Sequence, residues 1–153
     1  MKVKDVFKRE VVYVSPESSL LDAAKFIFGK HHKGLPVVKG SKKKLIGFIT
    51  EQDILSLFFP SINDLIQDYI HERDFELMEK NVKNVLTKKV KDAMSNNIIS
   101  IHIDDPILKA ESLMKLKDIR RLPVVDSKGY LVGIITKSDI FNKLVSPRIR
   151  KFK

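Results

Sequence analysis

Two stretches of the chain repeat residue types that can do chemistry, at one spacing. GFITEQDI runs from Gly47 to Ile54, and GIITKSDI from Gly133 to Ile140. In each, an apolar run ends in Thr and an Asp follows three residues later, which gives Thr50 with Asp53 and Thr136 with Asp139. A Thr at a strand-to-helix junction accepts from first-turn amides, and an acid three residues on reaches back to the Thr N–H, so the pattern reads as a capping box. It also suits a ligand. A helix N-terminus offers free N–H groups and the positive end of a dipole, which attract phosphate. The hydroxyl adds a donor, and a carboxylate accepts from vicinal hydroxyls such as those of a ribose. The two readings are compatible: Thr50 and Thr136 are expected to cap helices whose starts can hold a nucleotide.

The surroundings of the two pairs differ. Arg120 and Arg121 directly precede Leu122-Pro123-Val124-Val125, and either can meet phosphate bidentately. The matching positions before Leu35 are Lys33 and Gly34, with His31 and His32 ahead of them. Lys137 and Ser138 stand between Thr136 and Asp139 and join that candidate site. The second copy is therefore the better built for an anion.

Catalytic equipment is sparse, and the expectation is a protein that is not an enzyme. There is no Cys, which excludes disulfides, Cys-based zinc sites and thiol nucleophiles. The histidines at 31, 32, 71 and 102 have no metal-ligand spacing, and no Gly-rich phosphate loop occurs. MKVKDVFKRE does not read as a signal peptide, and no apolar run approaches the roughly 20 residues of a membrane span. With 43% hydrophobic and 31% charged residues in 153, the chain is expected to be soluble and cytoplasmic. The formal charge of +10 favours anionic partners. Half of it lies in Lys143–Lys153, whose five Lys or Arg have no acid among them, and Lys42, Lys43 and Lys44 form another run.

The elements that must position these residues also come in pairs. Val3–Val6 (VKDV) returns as Val90–Ala93 (VKDA), Val11–Val14 as Ile98–Ile101, and Leu35–Val38 as Leu122–Val125, all at an offset of 87. The Thr-x-x-Asp pattern returns at 86, because the turn Lys39–Lys44 is one residue longer than Asp126–Tyr130. Each copy reads as β-α-β-β-α. Val11–Val14 is the first strand. Ser18 or Ser19 caps a helix with Leu20, Ala23, Ala24, Ile27 and Phe28 on one face. In the second copy Asp105 is the expected cap, Pro106 the first helical residue, and Ile107, Ala110, Leu113 and Met114 the stripe. Gly129 suits a turn with positive φ. The expected fold is α/β (α+β): two such repeats packed sheet to sheet about a pseudo-twofold axis. The division is 1–57 for repeat 1, 58–88 for a helical connector, 89–144 for repeat 2 and 145–153 for a basic tail. Ile62, Leu65, Ile66, Tyr69 and Ile70 form the connector's apolar stripe, covering either the pair itself or a dimer interface.

The motifs, in order and twice over, resemble the CBS domain, the module named after cystathionine β-synthase. The resemblance spans Val3–Leu55 and Val90–Leu144. It implies a tandem pair that binds adenosine-containing ligands (AMP, ADP, ATP, S-adenosylmethionine), with Mg as an optional companion and no required cofactor. It implies that Asp139 and Asp53 hold ribose, that Thr136 and Thr50 meet phosphate, and that Arg120, Arg121 and Lys33 do so too. It implies that Val11, Val12 and His32 grip the base at the Asp139 site, and Ile98, Ile99 and Ile119 at the Asp53 site. It further implies a homodimer that regulates another protein. The alternative is a nucleic-acid-binding protein that uses the basic tail and Lys-rich turns, with strongly salt-dependent affinity.

Overall fold

The computed structural model describes residues 1–30, 32–58 and 81–149. The expected connector stripe, His31, His71 and the last residues of the basic tail lie outside them. The described chain forms two compact units. One gathers Met1–Val12, Lys39–Leu45 and the chain from Ile98 onward; the other gathers Tyr13–Val38 and the described part of Ile46–Asn97.

The first unit is built on a three-stranded sheet. Strand β3 (Ile101–His102) runs parallel to β4 (Arg121–Val125), which pairs antiparallel with β5 (Leu131–Thr136). The parallel pair needs a crossover, supplied by α4 (Ile107–Leu116). Alternation along β5 buries Leu131, Gly133 and Ile135, so one face meets the helices. Val3, Ile101, Ile107, Ala110, Met114, Leu122, Val124, Ile135 and Ile140 form a dry core. Each large side chain there contributes about 1.5–3 kcal/mol by leaving water. Helix α5 (Lys137–Leu144) follows β5 without a loop, and the short α6 (Ser146–Ile149) follows it.

The second unit holds α1 (Leu20–Gly29), α2 (Glu51–Leu55) and α3 (Val82–Leu86). Strands β1 (Gly34–Lys39) and β2 (Lys44–Thr50) pair with each other. Ser19 caps α1 by accepting from the Asp22 N–H at 3.1 Å. Leu20, Ala23 and Ile27 are buried along α1, as its periodicity predicts, but Phe28 is 43% exposed and lies off the buried stripe.

The opening segment of each repeat is seated on the body of the other. Val3 N–H donates to Asp105 O at 2.8 Å and Lys4 N–H to Ile103 O at 2.9 Å. Lys8 and Ile134 exchange both main-chain bonds, each at 2.9 Å. The second copy mirrors this: Val90 N–H donates to Ser18 O, Lys91 N–H to Pro16 O, and Ser95 and Phe48 exchange bonds at 3.0 and 2.8 Å. Compact units and sequence repeats thus divide the chain differently.

Local expectations need correction at three places. Val11–Val14 is not a strand; Val14 alone makes a bridge, to Val37. Its counterpart is strand only at Ile101, continuing to His102. Pro106 is the N-cap residue of α4 rather than its first helical residue, and it makes no side-chain cap bond. Asp105 instead accepts from the His102 N–H at 3.1 Å and the Lys109 ammonium at 2.9 Å. A carboxylate one residue too early for the cap is satisfied by the preceding turn and by the helix's own lysine.

Candidate functional site

Thr136 ends β5 and starts α5, and its geometry is that of a complete capping box. The Asp139 N–H donates to Thr136 Oγ1 at 3.1 Å, and the Thr136 N–H donates to Asp139 Oδ2 at 3.0 Å. The Thr136 hydroxyl also donates to Asp139 Oδ2, at 2.7 Å. One carboxylate oxygen is thereby committed to the cap. The other, Oδ1, is 3.0 Å from the Lys8 ammonium. The Asp139 side chain is only 9% exposed. Burial opposes its ionisation, yet the Thr136 hydroxyl, the Lys8 ammonium and the Thr136 N–H together hold its pKa below the ordinary aspartate value. It is a fixed, charged acceptor at the start of a helix.

The basic residues are brought to the same end of the sheet. Arg121 opens β4 and stands opposite Thr136 in the β4–β5 register. The Arg120 carbonyl accepts from the Lys137 N–H, the first amide of α5, at 3.1 Å. Arg120, Arg121 and Ser138 are exposed and Lys137 is half-buried. Val11 and Val12, half-buried, belong to this unit as well. His32 belongs to the other.

The first copy repeats the cap and omits part of its setting. Thr50 N–H donates to Asp53 Oδ2 at 2.8 Å and Asp53 N–H to Thr50 Oγ1 at 3.2 Å. The Glu51 N–H donates to the Lys33 carbonyl at 3.1 Å, as Lys137 does to Arg120. Gly34 stands where the second copy has Arg121. A Cβ there would come within 2.6 Å of the Phe48 ring and 3.0 Å of the Ile49 carbonyl, so no side chain fits without repacking. Among the described residues no cation pairs with Asp53. Ile99 and Ile119, expected at the Asp53 site, pack against the core of the first unit, and Ile98 is 50% exposed.

Sequence reasoning missed Lys8. Its signal was present: at the repeat offset of 87, Lys8 faces Ser95, so the second copy of VKDVFK loses its final charge. Two lysines of the run at the start of β2 meet the β4–β5 turn. Lys44 donates to the Lys128 carbonyl at 2.6 Å, and Lys42 and Lys44 each lie 5.9 Å from the Tyr130 ring centre. Among the described residues no cluster of His, Asp and Glu could hold a metal ion, and no helix is long and apolar enough to cross a membrane.

Two αβ repeats, each ending in a capped Thr-x-x-Asp, define a CBS-type pair. The CBS domain family matches residues 3–59 and again 90–146, and the chain belongs to it. It is 34% identical over 156 residues to the uncharacterized protein MJ1426 of Methanocaldococcus jannaschii, spanning 95% of this chain and 92% of that one. Other relatives are longer: the chain spans 40% of MJ1232 and 25% of the inosine-5′-monophosphate dehydrogenase of the same organism. Among solved structures it resembles CBSX2 of Arabidopsis thaliana, a CBS-pair protein also solved in complex with AMP. The AMP complex has a TM-score of 0.70 at 26% identity, over 96% of this chain and 98% of that one. It also resembles the CBS domain pair of MJ0100, solved with 5′-methylthioadenosine and S-adenosyl-L-methionine, at a TM-score of 0.61 and 25% identity over 100% and 98%.

Proposed function

We propose that the chain is a regulatory module, not an enzyme, that binds an adenosine-containing nucleotide at the Asp139 site. The observation that carries this reading is the divided carboxylate. Oδ2 is fixed by Thr136, while Oδ1 faces a lysine side chain, 65% exposed, that a sugar can displace. Asp139 would accept from the ribose hydroxyls, and Thr136, at the positive end of the α5 dipole, would meet phosphate. Arg120, Arg121 and Lys137 would neutralise its charge, and Val11 and Val12 would line the base. Thr50, Asp53 and Lys33 would form a second, weaker site, since Gly34 brings no cation. CBSX2 with AMP and MJ0100 with two adenosine compounds support the ligand class. The ligand acts by its differential affinity for two states of the module. The reading includes a cytoplasmic homodimer and a regulated partner protein, with Mg accompanying a polyphosphate ligand.

A thermal-shift panel with AMP, ADP, ATP and S-adenosylmethionine tests it. A ligand at 100 times its Kd adds about 2.7 kcal/mol. At about 2–4 °C per kcal/mol that is a rise of several degrees. Most of the rise is expected to be lost in Asp139→Asn, and the remainder in Asp139→Asn combined with Asp53→Asn. A flat panel overturns the reading.

A further inference from the structure

Lys8 is held at its backbone and exposed along its side chain. Its N–H and carbonyl are both bonded to Ile134 at 2.9 Å, while its side chain is 65% exposed and its ammonium lies 3.0 Å from Asp139 Oδ1. Gly133 makes the anchoring possible: any Cβ there would collide with the Lys8 carbonyl and the Phe7 ring. The ammonium can therefore move by side-chain rotation while the backbone of Lys8 stays bonded to Ile134. The second copy provides a natural control. Ser95 makes the same two main-chain bonds, to Phe48, and carries no charge.

Resting on the nucleotide reading above, we propose that Lys8 makes the Asp139 site selective for adenosine ligands that carry negative charge, over neutral or sulfonium ligands with the same sugar. Once ribose hydroxyls occupy Asp139 Oδ1, the ammonium no longer has the carboxylate to itself and faces the ligand. A lysine is a compact point charge on a flexible stem, so it follows a phosphate of varied position. Its field attracts a phosphate and repels a sulfonium. Discrimination thus has both an attractive and a repulsive arm. Arg120 and Arg121 set the same sign at the other edge of the site, but they sit on β4 and the residue before it. The Lys8 ammonium lies 3.0 Å from the carboxylate proposed to hold the ribose.

The test is isothermal titration of the full chain carrying Asp53→Asn, which removes the second cap, with AMP and with 5′-methylthioadenosine. Lys8→Ser, the residue of the other copy, is expected to weaken AMP about tenfold and to change 5′-methylthioadenosine by less than about twofold. Lys8→Arg is expected to keep the AMP preference, and the preference is expected to shrink as salt rises. Equal losses for both ligands overturn the proposal, because Lys8 would then merely support Asp139. Unchanged affinities for both overturn it as well. If neither ligand binds with Lys8 in place, the nucleotide reading itself falls and takes this inference with it.

Discussion

Pro123 is paired with Ile134 in the middle of the three-stranded sheet, and the pair needs no hydrogen bond from the proline. Ile134 gives both its main-chain groups to Lys8 on its other side. A residue with no N–H is normally confined to strand edges or starts. Here it sits third in β4 because its neighbour is already satisfied. The LPVV motif and the crossing segment Val3–Lys8 are therefore parts of one arrangement, with Gly133 as the point where they touch.

Gly133→Ala is expected to destabilise by about 1–3 kcal/mol, since the new methyl meets the Lys8 carbonyl and a Phe7 ring edge at once. Gly29→Ala provides the contrast: nothing lies within 4 Å of its Cβ position and its φ is not positive, so a small effect of either sign is expected. Urea denaturation midpoints of the two variants check this.

Thr136→Val removes a cap that serves α5 at its first turn. A loss of about 1 kcal/mol is expected, and Thr136→Ser is expected to restore most of it. The same denaturation series reads both.

Leu122→Ala empties a fully buried position on β4, in the core shared with α4 and α5. The expected cost is about 2–5 kcal/mol, depending on how far the core closes over the gap. Leu116→Ala, at a residue 76% exposed, is expected to cost far less.

Acid should unfold the chain through carboxylates whose pKa values are depressed in the fold. For Asp126 the Tyr130 N–H is the main cause; for Asp139 burial acts the other way and is outweighed by Thr136 and Lys8. A depressed folded-state pKa means the unfolded chain binds more protons in acid. The contribution is complete above the ordinary carboxylate range and is lost as pH falls through the folded values. Denaturation midpoints are expected to stay level from neutral pH to about 5 and to drop below about pH 4. Asp139→Asn should make that drop shallower.

Much of this was legible in the chain. The offset of 87 exposed the repeat, the 3.6-residue stripe marked α1, and Thr-x-x-Asp gave both caps where they occur. Those are local signals, carried by neighbours within a turn or two. The first strands were overestimated because Val11–Val14 has the composition of a strand, while only Val14 finds a partner to pair with. The seating of Val3–Lys8 and the Lys8–Asp139 contact had no local signature, since pairs such as Lys4 and Asp104 lie 100 residues apart. Setting Arg121 against Gly34 marks the two sites as unequal from the sequence alone, and the same comparison carried to Lys8 against Ser95 would have marked the lysine too.

The exchanged opening segments also set an order of events during synthesis. Residues 3–8 leave the ribosome long before Ile103, Asp105 and Ile134, to which they bond, have been made. At roughly 5–20 residues per second the wait is on the order of ten seconds. Closing so long a loop is also entropically slow compared with forming α1 or the β4–β5 hairpin. Val3–Lys8 can therefore be seated in full only after β5 has been made. A nascent chain halted before β5 would lack Thr136 and Asp139 and so hold no Asp139 site.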